Sequence, residues 1–143
     1  MSTTLSARLL RVVDALPLSP GVRVLEIGGA PGAAAGEVAR RVALTGHVLV
    51  LDRSPTGIQR TRQNCQDQVE AGLLTTMCAS VEEFTLPAGV EVFDIAFACR
   101  VGALDGRHMN LYDDAIRNIA AALKPDGHLY IDTGNPLRRI DLH

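Results

Sequence analysis

What this chain has little of excludes several classes of protein. Its net charge is −2 over 143 residues, and only Lys124 of its 14 basic residues is a lysine. No run of basic residues occurs that would form a face for nucleic acid or an anionic membrane. No apolar stretch approaches the length of a membrane span, and residues 1–5 lack the charged start and apolar core of a signal peptide. We therefore expect a cytoplasmic protein that binds neither nucleic acid nor membranes.

Cysteine is also scarce, which argues against a disulfide framework and against zinc. The three cysteines, Cys65, Cys78 and Cys99, are odd in number, widely spaced and set among apolar residues. Neither a CxxC pair nor a histidine-rich cluster is present, so the sequence predicts no metal site. Reduced, buried thiols in a cytosolic protein are the expectation.

The remaining composition is that of one globular domain. Hydrophobic residues make up 47% of the chain and charged residues 21%. A chain of this size buries about two-thirds of its unfolded surface, so it folds without metals or disulfides. We assign residues 1–143 to a single domain.

Apolar spacing along the chain alternates between helical and strand patterns. It predicts an amphipathic first helix over residues 5–16, and further helices over 33–44, from Ser54 and Pro55 to Gly72, and over 112–123. Strands are predicted at residues 22–27, 47–52, 73–77, 92–98 and 128–132, and no element after residue 132. Regular alternation of strands and helices is typical of an α/β fold with a parallel, doubly wound sheet.

One stretch, residues 24–32, organises this pattern. A buried strand runs into a turn with Gly28, Gly29 and Gly32, and a helix follows directly. Turns of this kind lie at the carboxyl edge of a parallel sheet, where open α/β folds bind ligands. Glu26 precedes the first glycine by two residues, so we expect its carboxylate to face whatever the turn holds.

The spacing of this turn fits a pyrophosphate-binding site poorly. Dinucleotide-binding turns carry G-x-G-x-x-G, but Ala30 and Ala33 occupy the second and third glycine positions here. A carboxylate aimed into the turn would repel a pyrophosphate and attract a cation. The arrangement is instead an acidic residue, Glu26, followed by Gly28-x-Ala30-x-Gly32.

With that motif the sequence resembles the class I S-adenosylmethionine-dependent methyltransferases, from the leading helix to the fifth strand. The family's first motif is an acidic residue followed by G-x-G-x-G. Asp52 matches the acidic residue that ends the second strand and binds the ribose hydroxyls in that family, whereas taken singly it could simply cap the next helix. Residues 80–84 fall at its adenine-contacting loop, and residues 93–96 and 123–127 resemble its fourth-strand motif and its L-K-P-G-G turn.

The resemblance implies a Rossmann-like sheet of about five strands in the order 3-2-1-4-5, with S-adenosylmethionine as the cofactor. The acceptor is expected beyond the fourth strand, where His108 is either the catalytic residue, as a general base, or simply a solvent-exposed loop histidine. Arg100 either holds an acidic acceptor or pairs with a nearby carboxylate. The candidate cofactor-binding residues are Glu26, Gly28, Gly29, Ala30, Gly32, Asp52, Arg53, Ser80, Val81, Cys99 and Arg100.

Two departures from the family pattern affect these expectations. Ala30 replaces the middle glycine, which requires a negative φ at that residue, and Pro31 favours this. The chain also ends about ten residues after the fifth strand, without the family's sixth and seventh strands. The fifth strand would then be an exposed edge, so we expect a homodimer in which a second copy covers it.

Three functions remain open from the sequence. The leading one is methyl transfer to a small molecule, because the family's [DN]-P-P-[YF] motif for amino groups of bases and glutamine is absent: Ala98-Cys99-Arg100-Val101 stands there. The second is a non-catalytic cofactor sensor or partner subunit. The third, an NAD-dependent oxidoreductase, is disfavoured by the turn spacing and by Glu26.

Overall fold

A computed structural model describes residues 5–142. Residues 1–4 and His143 lie outside the described residues, and so does most of the segment in which no signal peptide was expected. A single six-stranded sheet forms its centre. The strands are β1 (Arg23–Ile27), β2 (His47–Asp52), β3 (Leu74–Cys78), β4 (Phe93–Ala98), β5 (Leu123–Ile131) and β6 (Arg138–Ile140). The helices are α1 (Ala7–Ala15), α2 (Ala33–Val42), α3 (Pro55–Asn64), α4 (Gln66–Glu70) and α5 (Tyr112–Ala122), with a 3-10 turn at Met109–Leu111.

The sheet order is β3-β2-β1-β4-β5-β6. The first five strands are parallel, so the predicted order 3-2-1-4-5 is confirmed. The inner strands are apolar on both faces because helices cover both faces of a parallel sheet, and four residues of β2 are buried in succession. This topology brings the carboxyl ends of β1, β2 and β4 together at one edge.

Two apolar clusters pack on the two faces of this sheet. On one face Val12 and Val13 of α1 and Val38 of α2 pack against the strands. On the other face Ile119 of α5 lies against residues that include Leu25 of β1. No helix of residues 5–142 is long and apolar enough to cross a membrane.

The helix predicted from residue 55 to Gly72 is interrupted. It ends at Asn64, and α4 starts at Gln66, because Cys65 has φ −114° and ψ 30° and leaves the helical conformation. The Cys65 thiol donates to the Gly32 carbonyl at 3.4 Å. The predicted cap is confirmed: Ser54 accepts from the Gly57 N–H at 3.0 Å, with Pro55 in the first turn.

The fifth strand also starts earlier than predicted. Leu123 pairs with Phe93 and His128 with Ile95, so the residues between them bulge from the ladder rather than preceding the strand as a separate turn. Asp94, opposite the bulge, accepts from the Lys124 ammonium at 2.7 Å and from the Arg23 N–H at 2.9 Å. These contacts lower the pKa of Asp94, although burial acts in the opposite direction as the largest single influence.

The expectation that nothing follows residue 132 was wrong. Strand β6 pairs antiparallel with β5, with Leu129 opposite Ile140 and Ile131 opposite Arg138. The fifth strand is therefore not the exposed edge of the sheet. A homodimer therefore cannot be inferred from a bare fifth strand, because β6 covers it.

Candidate functional site

The turn after β1 has the backbone that its glycines predict. Gly28 and Gly32 have φ values of 70° and 102°, in the left-handed region that favours glycine. A β-carbon on Gly29 would lie 2.7 Å from the Glu26 carboxyl carbon. The turn therefore needs glycine at Gly28 and Gly32 for its dihedrals and at Gly29 for its close approach to Glu26.

Hydrogen bonds hold this turn against the end of β2. The Gly28 N–H donates to the Leu51 carbonyl at 2.7 Å, and the Ala30 N–H donates to Asp52 Oδ2 at 3.1 Å. Arg100 is the one non-glycine residue among 5–142 with a positive φ, so the negative φ expected at Ala30 is confirmed. The first and second strands thus present the turn and the Asp52 carboxylate as one unit.

Asp52 is not the cap of the helix that follows. Its Oδ1 accepts from the Ser54 N–H at 2.9 Å, and Ser54 itself caps α3. Each carboxylate oxygen has two lone pairs, so each Asp52 oxygen keeps capacity for a further donor. Two hydroxyl groups of a ribose suit that remaining capacity.

Glu26 is the least expected feature of this edge. Its side chain is buried, with 4% of the residue exposed, and its Oε1 has no hydrogen-bond partner. Burial raises the pKa of Glu26 to about 8, and the nearby Asp52 carboxylate adds to the shift. A buried acceptor without a partner costs about 1–3 kcal/mol, so this oxygen suits a ligand that brings a donor or a positive charge.

The electrostatics of the edge point the same way. Neither Glu26 nor Asp52 forms an ion pair with a residue of 5–142. Two carboxyl groups near each other without a counter-cation raise each other's affinity for positive charge. The sulfonium and ammonium groups of S-adenosylmethionine fit this environment, whereas a pyrophosphate does not.

A cleft of about 290 Å³ opens beside the turn. The predicted residues that line it are Gly28, Asp52, Arg53, Ser80, Val81, Arg100 and His108. The other predicted residues, Glu26, Gly29, Ala30, Gly32 and Cys99, belong to the turn or to the strand ends and do not line this cleft. The structure therefore divides the predicted set into a cleft and an adjoining buried acidic turn.

Residues 79–82 form one wall of the cleft, which the loop after β4 also lines. The Ser80 carbonyl accepts from the Glu83 and Phe84 N–H groups, and the Val81 carbonyl accepts from the Asn118 side chain at 3.0 Å. Val81 is buried and Ser80 is partly exposed. This wall is anchored to α5, so it gives the cleft a fixed boundary.

His108 lies at the rim of the cleft. Its backbone N–H donates to the Gly102 carbonyl at 3.0 Å, and a β-carbon on Gly102 would lie 2.5 Å from the imidazole Cδ2. The imidazole thus rests on Gly102 and is exposed. Its role as a general base stays a prediction.

Cys99 directly follows β4 and is half-buried, while Cys65 is buried and Cys78 is exposed, so the expectation of buried thiols is wrong for Cys78. Burial raises the pKa of the Cys99 thiol to about 12, and the carboxylates of Asp132 and Glu26 contribute. The thiol therefore stays protonated near neutral pH and is not an anionic nucleophile.

Sequence reasoning missed two charged residues at this edge. Asp132 follows β5 as Asp52 ends β2, and its carboxylate accepts from the Arg100 N–H at 3.2 Å. The Nη1 atom of Arg8, on α1, lies 3.5 Å from Oδ2 of Asp132. An acidic residue directly after a buried strand was the available signal for Asp132, whereas nothing in the helical pattern of α1 marks Arg8.

The fold and this edge define a nucleoside-binding α/β domain with an acidic turn. The sequence matches the family described as "Methyltransferase domain" over residues 24–127, and the chain belongs to that family. This confirms the resemblance to the S-adenosylmethionine-dependent methyltransferases.

Individual relatives agree with this assignment. The chain is 32% identical over 111 residues to the ubiquinone/menaquinone biosynthesis C-methyltransferase UbiE of Pseudomonas putida, covering 78% of this chain and 41% of that protein. It therefore spans less than half the length of that relative. TrmN from Thermus thermophilus superposes with a TM-score of 0.64 at 27% identity, over 86% of this chain and 35% of TrmN. An S-adenosylmethionine-dependent methyltransferase from Thiobacillus denitrificans, solved with S-adenosylhomocysteine, superposes with a TM-score of 0.67 at 19% identity, over 92% of this chain and 50% of that one.

Proposed function

We propose that this protein binds S-adenosylmethionine and transfers its methyl group to a small-molecule acceptor. The observation that carries the proposal is the buried, unpartnered Glu26 Oε1 beneath the glycine turn, beside Asp52. A donor-bearing cation is the ligand that this oxygen lacks. The Pseudomonas relative, a C-methyltransferase, and the neighbour that binds S-adenosylhomocysteine support this reading.

Residues of the first two strands and of the wall would hold the cofactor. Glu26 would accept from its ammonium group, and the two Asp52 oxygens from its ribose hydroxyls. The glycine turn lets the backbone approach the methionine part, and Ser80 and Val81 would contact the adenine. When bound, the cofactor supplies an activated methyl group on a good leaving group.

The remaining task of the protein is to align the acceptor and to exclude water. The loop after β4 forms the side of the cleft where the acceptor would lie, with Arg100 and His108 on it. An acceptor hydroxyl would need a base, and the His108 imidazole is the candidate in this loop. A carbon acceptor must likewise lose a proton, whereas a thiol acceptor, which ionises more readily than a hydroxyl, would place less demand on that residue.

Calorimetric titration with S-adenosylmethionine, S-adenosylhomocysteine and NAD tests the proposal. We expect saturable binding of both adenosyl ligands and none of NAD. Asp52→Ala should weaken S-adenosylhomocysteine binding by about 2 kcal/mol, because two charge-assisted hydrogen bonds are lost. Asp126→Ala is the matched control, since Asp126 is exposed at the opposite end of the sheet. NAD binding without a response to either adenosyl ligand would overturn the proposal.

Methyl transfer itself requires a second measurement. Incubation with a labelled methyl donor and a metabolite extract should yield a labelled small molecule. Cofactor binding without any labelled product would favour the alternative, a cofactor sensor or partner subunit.

A cytoplasmic location belongs to the same proposal. Cys65, Cys78 and Cys99 are all free thiols, which a reducing compartment preserves. Cell fractionation tests this, and recovery of the protein from an oxidising compartment would contradict it.

A further inference from the structure

The backbone of Arg100 adopts a conformation that its side chain disfavours. Its φ is 56°, and among residues 5–142 every other positive φ belongs to glycine. Such a conformation is strained in a non-glycine residue and persists where surrounding contacts impose it. A glycine at this position would avoid that strain, so the presence of arginine calls for a reason.

Contacts on both sides of the residue impose this conformation. The Arg100 N–H donates to both oxygens of Asp132, each at 3.2 Å. The Arg100 carbonyl accepts from Arg107 Nη2 at 2.7 Å, and Asp105 in turn holds the Arg107 guanidinium through contacts of 3.0 Å. Both backbone polar groups of Arg100 are thus fixed by charged side chains, which sets the direction in which its side chain leaves the chain.

The side chain itself has no partner within the described chain. Arg100 is exposed, lines the cleft, and its guanidinium forms no hydrogen bond or ion pair with any of residues 5–142. The sequence had left open whether Arg100 pairs with a nearby carboxylate; the nearby carboxylate, Asp132, instead binds its backbone N–H. The structure therefore holds a free guanidinium at the mouth of the site.

We propose that Arg100 recognises an anionic group, a carboxylate or a phosphate, on the acceptor. This inference rests on the proposed function, because it assigns the acceptor class of the same site. A guanidinium presents a planar fork of donors that matches both groups. Of the arginines that line the cleft, Arg107 is already paired with Asp105, whereas the Arg100 guanidinium is available to an anionic ligand.

Arg100 was expected among the cofactor-binding residues, but its position after β4 favours the acceptor, and the proposal reassigns it accordingly. Glu26 and Asp52 supply partners for the ammonium and the ribose of the cofactor at the ends of β1 and β2. Arg100 instead follows β4, in the loop beside which the acceptor would lie. The rival is the carboxylate of the cofactor itself. The two assignments differ in which affinity depends on Arg100, and that difference can be measured.

The test uses the full chain saturated with S-adenosylhomocysteine and three small probes, benzoate, phenyl phosphate and neutral benzamide. Their binding is followed by protein NMR, including the Arg Nε–H resonances. We expect one anion to bind at least about tenfold more tightly than benzamide. This ratio is the affinity expected from one charge-assisted contact that benzamide cannot make. Benzoate and phenyl phosphate distinguish a carboxylate acceptor from a phosphate acceptor.

Two variants complete the test. Arg100→Gln should abolish the preference for the anion and leave S-adenosylhomocysteine affinity unchanged, and Arg100→Lys should retain part of the preference. Equal binding of anion and benzamide, no binding of either anion, or a preference that survives in Arg100→Gln would reject the inference. A matching loss of S-adenosylhomocysteine affinity in Arg100→Gln would also reject it and assign the guanidinium to the cofactor.

Failure of the proposed function gives a different result. Absence of S-adenosylhomocysteine binding to the wild-type protein would reject the function and this inference together. Cofactor binding without an anion preference would reject the inference alone.

Discussion

At the scale of single residues, Glu26 shows how a binding site opposes stability. Its buried carboxyl has an oxygen without a partner, and its pKa is raised to about 8. In the unfolded chain the same group ionises near its ordinary value of 4.5. Between these two values the folded protein retains a proton that the unfolded chain releases. The stability of the ligand-free protein therefore falls as pH rises through this window.

Replacing Glu26 should remove this pH dependence. We expect the stability of Glu26→Gln relative to the wild type to rise by about 1.4 kcal/mol per pH unit above about pH 5 and to level off above about pH 8. The same variant should bind S-adenosylhomocysteine more weakly. Denaturant unfolding of the ligand-free proteins at several pH values measures this difference in stability. Glu83→Gln, at an exposed position, is the control, and parallel pH profiles of wild type and Glu26→Gln would contradict the expectation.

The close approach of Gly29 to Glu26 yields a second expectation. An alanine β-carbon at Gly29 would lie 2.7 Å from the Glu26 carboxyl carbon, whose burial leaves it little room to move. We expect Gly29→Ala to destabilise the fold by about 1–3 kcal/mol, as overpacking does, and to weaken cofactor binding. Urea unfolding and calorimetry measure the two effects.

Gly36 provides the matched control for that substitution. It lies inside α2, and an added β-carbon would meet only the Cys65 sulfur, at 3.7 Å. Gly36→Ala should therefore stabilise the protein by about 0.5–1 kcal/mol and leave cofactor affinity unchanged. If both alanine variants behave alike, the Gly29 contact is not specific.

The residues of the site differ in how far the sequence reveals them. Glu26 and Asp52 stand directly at strand ends next to a glycine turn, so their chemistry and position are both readable. Arg100 is readable as a residue after β4, but its left-handed backbone is not, since the contacts that impose it come from Asp132 and Arg107. Long-range hydrogen bonds of this kind leave no local pattern in a sequence.

At the scale of elements, periodicity predicts the long and strongly apolar segments and fails for short ones. The first five strands and the four main helical segments follow from apolar spacing. Strand β6 does not, because it has three residues of which two are exposed arginines. The break between α3 and α4 also depends on a tertiary contact, that of Cys65 with Gly32, which helix propensity does not include.

The contribution of β6 can be measured at Ile140. This side chain is 9% exposed and belongs to the apolar cluster on the α5 face of the sheet. Ile140→Ala should lower the free energy of unfolding by about 2 kcal/mol, since it removes buried methylene groups at the margin of a core. Leu44→Ala, at a residue that is 87% exposed, should change it by no more than about 0.5 kcal/mol. Equal effects of the two substitutions would show that β6 is not docked on the sheet.

At the scale of the whole molecule, the sheet determines where the candidate site lies. The carboxyl ends of β1, β2, β4 and β5 supply Glu26, Asp52, Cys99 and Asp132 at one side. Helix α1 reaches that side through the contact of Arg8 with Asp132. The candidate site is thus concentrated at the carboxyl ends of the strands, including the segment that follows β3.

The homodimer remains a proposal, now with a revised interface, the outer edge of β6. An antiparallel pairing of two copies along this edge would bring the exposed Arg138 and Arg139 of one copy near those of the other. Like charges across such a pair destabilise it, as lysines and arginines at edge strands commonly do. Salt screens this repulsion, so we expect association to strengthen as ionic strength rises, opposite to an interface held by ion pairs.

Sedimentation velocity over a range of protein and salt concentrations tests this expectation. The mass should rise from 15.3 kDa toward twice that value, and the rise should occur at lower protein concentration in higher salt. Arg139→Gln should favour the dimer at low salt, because it removes an arginine from the edge of each copy, while Arg117→Gln, at an exposed position of α5, should not. High salt screens the repulsion between the arginines, so a dimer joined along this edge should form there. A mass of 15.3 kDa at every protein and salt concentration would therefore reject the dimer.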